Sequence, residues 1–199
     1  MMSTLDRASV ITIVSGLPRS GTAMMMRMLD AGGIPALTDN VRAADEDNPF
    51  GYFEYEPVKR TREDASWLSL AKGKSVKMVH LLLHDLPLDR QYHVVFMRRS
   101  LEEVVRSQNA LLAKSGRQPD PSISDERVQE VFRGQLRETE EFLAANADVF
   151  HVLYTKYNEV IKHPHTAASA VNDFLGGSLN EEAMAGVVDA SLYRQRTND

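Results

Sequence analysis

The stretch "IVSGLPRSGTAMMM", residues 13–26, decides how the rest of the chain is read. It joins a β-branched apolar run, "SVITIV" (9–14), to a methionine-rich run through a turn that holds two glycines. Gly16 and Gly21 keep the four-residue gap of a nucleotide-hydrolysing phosphate loop, but Thr22 stands where that loop needs lysine. Strand, glycine turn and helix N-terminus in this order present backbone N–H groups to an anion. Thr22 adds a hydroxyl, and Arg19 adds a planar cationic fork. A triphosphatase also wants a magnesium-holding acid at a neighbouring strand end. The strand candidate "YHVVFM" (92–97) runs instead into Arg98 and Arg99. The loop therefore reads as built for an anion without a metal, and no metal ligand is assigned.

Outward from the loop, "TAMMMRMLDAGG" (22–33) predicts a helix stopped by Gly32 and Gly33. "SVKMVH" (75–80) and "VFHVLY" (149–154) join residues 9–14 and 92–97 as strands. "SLEEVVRSQNALLAK" (100–114) places Leu101, Val104, Val105, Gln108, Leu111 and Leu112 near one helical face. "DERVQEVFRGQLRETEEFLAAN" (125–146) puts Val128, Val131, Phe132, Phe142 and Leu143 at helical spacing. Two short helices follow, "TAASAVNDFLGG" and "NEEAMAGVVDA", the second capped by Asn180. A further helix is expected from Glu56 to Ala71, with Pro57 in its first turn and Val58, Ala65, Trp67 and Leu68 turned inward. The acidic, aromatic stretch 38–57 has no helical period and reads as a lid or binding loop. Short apolar runs alternating with helices predict an α/β three-layer sandwich, a central parallel sheet flanked by helices. One domain over residues 1–199 is expected, without repeats or linkers.

Composition narrows the function classes. A net charge of −5 argues against a general nucleic-acid partner. There is no cysteine, which removes disulfide and thiolate chemistry. No apolar run reaches the length of a membrane span, and the first residues lack a secretory cleavage pattern, so no membrane partner and a cytoplasmic location are expected. Oligomeric state is left open.

"GLPRSGT" followed by a helix resembles the 5′-phosphosulfate loop of sulfotransferases that use 3′-phosphoadenosine 5′-phosphosulfate (PAPS) and leave 3′-phosphoadenosine 5′-phosphate (PAP). Its arginine form is similar to that of tyrosylprotein sulfotransferases and many bacterial members. The resemblance implies a P-loop-containing nucleotide-binding fold. It also implies cofactor contacts from Pro18, Arg19, Ser20, Gly21, Thr22 and Ala23. That family binds the 3′-phosphate with an arginine at a strand end and a serine eight residues later, a pattern matched by Arg99 and Ser107 in "RSLEEVVRS". Arg98 and Arg106 are read as solvated or structural. Tyr157 matches the tyrosine near the adenine, and Arg194 or Arg196 in the basic tail matches the family's C-terminal phosphate contact.

The acceptor side carries two candidate bases. In "VKMVHLLLHDLP" His80 matches the catalytic histidine of cytosolic sulfotransferases, and a neutral imidazole suits the task. The lysine found two residues before that histidine is Met78 here, and Lys77, one step earlier, belongs to the opposite strand face. Glu54 is the rival, since tyrosylprotein sulfotransferases use a glutamate. Arg19 would stabilise charge as the S–O bond breaks. Phe50, Tyr52, Phe53 and Tyr55 either line an acceptor pocket or pin the loop to the core, and His84 with Asp85 falls outside the reaction centre. Ala23 and Met24 depart from the family, removing a hydroxyl donor and a tryptophan beside adenine. The implied activity is transfer of a sulfuryl group from PAPS to a hydroxyl or amine of a small-molecule or glycan acceptor. A catalytically silent nucleotide-binding protein and a P-loop kinase with an altered loop are the alternatives.

Overall fold

The computed structural model describes residues 10–39, 41 and 51–193. Four strands, β1 (Ile11–Gly16), β2 (Ser75–Val79), β3 (Tyr92–Arg98) and β4 (Phe150–Lys156), form one parallel sheet in the order β2-β1-β3-β4. All four expected strands are present. β1 pairs with β2 on one side and β3 on the other, bringing Gly16 level with Val79 and Met97. The chain leaves β1 toward β2 and then returns across it to β3. Such a reversal opens a crevice beyond the carboxyl ends of the central strands.

Alternation along the strands builds two cores, one on each sheet face. Ile11, Ile13, Val94 and Phe96 join Val76, Met78, Trp67, Leu83 and Leu143 on one side. Val14, Val95 and Met97 pack on the other side against α1 (Thr22–Gly32), α4 (Tyr157–Lys162), α5 (Pro164–Phe174) and α6 (Glu181–Gly186), through Met25, Met26, Val160, Val171 and Met184. Strands covered on both faces read as unbroken apolar runs. The result is the expected three-layer α/β sandwich, completed by α2 (Leu101–Lys114) and α3 (Asp125–Ala145). α1 ends as expected, with Gly33 at φ 105° closing the helix. Asn180 caps α6 by accepting from the Ala183 N–H at 3.0 Å.

Two expectations need correction, the helix over 56–71 and the inward face of α3. Residues 56–71 form no continuous helix: 3₁₀ turns at Glu56–Arg60 and Ser66–Ser69 are separated by a break. The Thr61 hydroxyl donates to the Val58 carbonyl at 2.6 Å and accepts from the Trp67 indole at 3.2 Å, which favours a tight turn over α-helical propagation. Val58, Trp67 and Leu68 are nevertheless buried as expected. On α2, the buried positions include Glu103 and Ser107 beside Val104 and Val105. On α3, Val131 faces outward and Thr139 inward beside Leu143. Among the described residues, no helix is long and apolar enough to cross a membrane.

His93 on β3 is buried, with its ring 5.1 Å from His151 and 5.5 Å from Phe174. Burial lowers its pKa, and the neighbouring His151 lowers it further. His80 is lowered too, mainly by burial. Both therefore bind a proton less readily in the folded chain than in the unfolded chain, where histidine titrates near 6.5. Below that pH the unfolded chain takes up more protons, so stability falls as pH drops. The urea midpoint is expected to fall from pH 7 to pH 5, and His93→Phe should flatten that dependence. An unchanged slope would contradict this account.

Candidate active site

The β1–α1 turn is shaped by close approach of backbone. A Cβ on Gly16 would lie 2.5 Å from the Met97 carbonyl oxygen and 2.6 Å from the Ser20 hydroxyl. One on Gly21 would lie 2.3 Å from the Tyr157 ring. Both positions therefore require glycine for space, as well as for φ of 144° and 97°. Arg19 adopts φ 72°, a left-handed conformation costly for a residue with a Cβ. Contacts at both of its ends hold it there. Its Nε donates to the Ser107 hydroxyl at 2.9 Å, and its carbonyl accepts from Arg99 Nη1 at 3.0 Å. Helix α1 opens at Gly21 with no side-chain cap and no acid in its first turn. Its leading N–H groups thus have no intrahelical acceptor and carry the positive end of the helix dipole.

These features frame a cavity of about 410 Å³ at the carboxyl ends of β1, β2 and β3. Pro18, Arg19, Gly21, Thr22, Ala23, Glu54, Arg99, Ser107 and Tyr157, all expected from sequence, line it together. Ser20 is buried beneath the turn, its hydroxyl without a hydrogen-bond partner. Arg194 and Arg196 lie outside the described residues. Ser107 bonds Arg19, whereas the Nε of Arg99 pairs with the buried Glu103 at 2.8 Å. The Arg99 guanidinium also lies 4.5 Å from the centre of the Tyr157 ring. Arg98 pairs instead with Glu140 at 2.7 Å, and Arg106 with Glu102 at 2.5 Å.

On the acceptor side the two candidate bases separate. Glu54 lines the cavity, 3.6 Å from the Lys77 ammonium, and Lys77 also donates to the Tyr52 carbonyl. The Glu54 carbonyl is pinned by the Thr38 hydroxyl at 2.9 Å and the Asp39 N–H at 3.3 Å. The Asp39 carboxylate accepts from the Glu56 N–H at 2.6 Å, and such backbone bonds hold its pKa low. His80 opens the 3₁₀ turn His80–Asp85 and is only 2% exposed, near the Gly16 backbone and the Gln135 side chain. Neither ring nitrogen has a hydrogen bond of good geometry, and His80 is not among the residues that line the cavity. Lys77 and Val79 do line it, and so does Met78, which also joins the core. Tyr52 and Phe53 reach the cavity, whereas Tyr55 packs edge-on to Trp67 at 6.2 Å. Phe50 lies outside the described residues. His84 stacks on Phe142 at 4.3 Å and Asp85 pairs with Arg62 at 2.8 Å, away from the cavity.

Sequence reasoning missed part of the lining. Arg27 follows Ala23 and Met24 by one helical turn on α1, and Lys114 shares a face of α2 with Ser107, Ala110 and Leu111. That i, i+3, i+4, i+7 spacing was present in the sequence and marks the cavity face of α2. Burial lowers the Arg27 pKa, and the Asp189 carboxylate counters it. The lining thus carries five cations, Arg19, Arg27, Lys77, Arg99 and Lys114, against two carboxylates, Glu54 and Asp189. In a chain of net charge −5 this is a local positive basin, the arrangement that concentrates an anion. Among the described residues, no group of three or more His, Asp or Glu is placed to share a metal ion.

The chain's sequence matches the sulfotransferase domain family over residues 11–198. Among solved structures it is similar to the sulfotransferase domain of the olefin synthase of Synechococcus PCC 7002, at 15% identity and a TM-score of 0.59. That alignment covers 100% of this chain and 92% of that one. It is also similar to the sulfotransferase domain from the curacin biosynthetic pathway, at 15% identity and a TM-score of 0.52, with 94% and 90% covered. The search of curated proteins gave no match. The structural likenesses speak to the fold, and the family match to the activity: the chain belongs to the sulfotransferase domain family and is a sulfotransferase.

Proposed function

We propose that this single domain binds PAPS in the cavity and transfers its sulfuryl group to a hydroxyl or amine of a small-molecule or glycan acceptor. The observation that carries the reading is the β1–α1 turn. Its glycines admit no Cβ, its buried Ser20 hydroxyl lacks a partner, and an uncapped helix end faces a cavity rich in cations. Such a cradle suits a phosphosulfate, and the residues present fit that cofactor. When bound, PAPS supplies the activated sulfuryl group. Arg19, Thr22 and the first N–H groups of α1 hold the phosphosulfate and receive the charge that develops as the S–O bond breaks. Arg99 and Ser107 hold the second phosphate, and Tyr157 with Met24 flanks the adenine. Glu54 takes the acceptor's proton, and Lys77, 3.6 Å away, orients that carboxylate. Two features favour Glu54 over His80: its place in the lining and its backbone anchoring. Thermal stabilisation by PAP, compared with ATP and magnesium, tests the reading.

A further inference from the structure

Arg99 is held on several sides, and two of the residues around it lie outside the cavity lining. Glu103 divides its carboxylate: Oε2 accepts from Arg99 Nε at 2.8 Å, and Oε1 accepts from the Tyr193 hydroxyl at 2.5 Å. The side chains of Arg99 and Glu103 are 8% and 4% exposed, so the pair is buried. A carboxylate in such a place is costly unless its oxygens are satisfied. Tyr193 also sets its ring edge-on to Tyr157, at 5.2 Å and 89°. The Arg99 guanidinium lies 4.5 Å from the Tyr157 ring centre and 5.4 Å from that of Tyr193. From this position Arg99 Nη1 reaches the carbonyl of Arg19, the residue held in the left-handed conformation. The chain of contacts runs from the far end of the sequence to the phosphate turn.

We propose that Tyr193 and Glu103 are positioning residues that fix the Arg99 guanidinium, so that the C-terminal segment sets the protein's selectivity for the second phosphate of the cofactor. This rests on the PAPS reading above. Burial, the bond to Glu103 and the Glu103 charge push the Tyr193 phenol up to about 12, so it remains a donor at physiological pH. Removing the hydroxyl takes away the bond that Glu103 Oε1 accepts, and the carboxylate that holds Arg99 Nε loses its tie to the C-terminal segment, so the guanidinium is no longer fixed at the cavity. A purely structural role would weaken all ligands alike, whereas positioning of Arg99 affects the ligand with a second phosphate.

The test is titration calorimetry of the full chain, Tyr193→Phe and Glu103→Gln with PAP and with 5′-AMP, which lacks the 3′-phosphate. Tyr193→Phe keeps the ring and should fold, so it decides the matter if Glu103→Gln does not. We expect PAP affinity to fall about fivefold in Tyr193→Phe and about tenfold in Glu103→Gln, within the range for losing one net hydrogen bond. Affinity for 5′-AMP should stay unchanged. Equal weakening of both ligands, or unchanged PAP affinity in Tyr193→Phe, overturns the inference while leaving the PAPS reading intact. A wild-type protein that binds 5′-AMP as well as PAP rejects that reading, and the inference with it.

Discussion

Arg99→Ala is expected to lose about 3–5 kcal/mol of stability, because it removes one partner of the buried Arg99–Glu103 ion pair. It should also weaken PAP binding about a hundredfold, the scale seen when one partner of a buried charge pair is truncated across a binding interface. The two losses have separate causes and can be separated. Replacing a buried ion pair by apolar side chains of similar volume is often neutral for stability. The double variant Arg99→Met with Glu103→Leu should therefore recover most of the urea midpoint and none of the PAP affinity. Recovery of both would show that Arg99 only props the turn. Loss of PAP affinity without loss of stability in Arg99→Ala would show that the pair with Glu103 contributes nothing to the fold.

Glu54→Gln is expected to lower kcat about 10²–10³-fold, the range for removing a general base, with PAP affinity little changed. Glutamine keeps the shape and the backbone anchors to Thr38 and Asp39, so the loss is of proton-accepting capacity. His80→Asn provides the contrast. That ring is buried beside Gly16 and outside the cavity lining, so its replacement should lower the urea midpoint and leave most of kcat in the protein that remains folded. Steady-state kinetics on both variants with a phenolic acceptor would decide. A silent Glu54→Gln beside an inactive His80→Asn would reverse the assignment.

Much of the fold was legible because the strands have two buried faces and the glycines of the turn sit where backbone meets backbone. Each of the four expected strand runs yields a strand that pairs in the sheet, β1 to β4, and Arg19, Arg99 and Ser107 do meet at one cavity. Their pairing was less legible. The resemblance pairs Arg99 at a strand end with Ser107 on the following helix, but the hydroxyl of Ser107 accepts from Arg19, and Glu103 takes the Nε of Arg99. Glu103 lies four residues after Arg99, a spacing usually read as an exposed helical ion pair, and only the packing of Tyr193 and α2 reveals that it is buried. The acceptor side was harder still, because side-chain direction at a strand end depends on where the strand stops. β2 ends at Val79, so His80 turns into a 3₁₀ helix and the core while Lys77 keeps the cavity face. Between Glu56 and Ala71, the Thr61 hydroxyl competes for the backbone, and an apolar pattern compatible with a helix becomes two short turns.

The central claim is that the cavity is a clamp for the two phosphate positions of PAP. Its most direct test is the thermal unfolding midpoint of the wild-type protein with each ligand. PAP at a hundred times its Kd should add about 2.7 kcal/mol and raise Tm by about 5–10 °C, with or without magnesium. Under the same conditions 5′-AMP, or ATP with magnesium, should give a clearly smaller shift. A shift with ATP and magnesium equal to or larger than that with PAP would contradict the account.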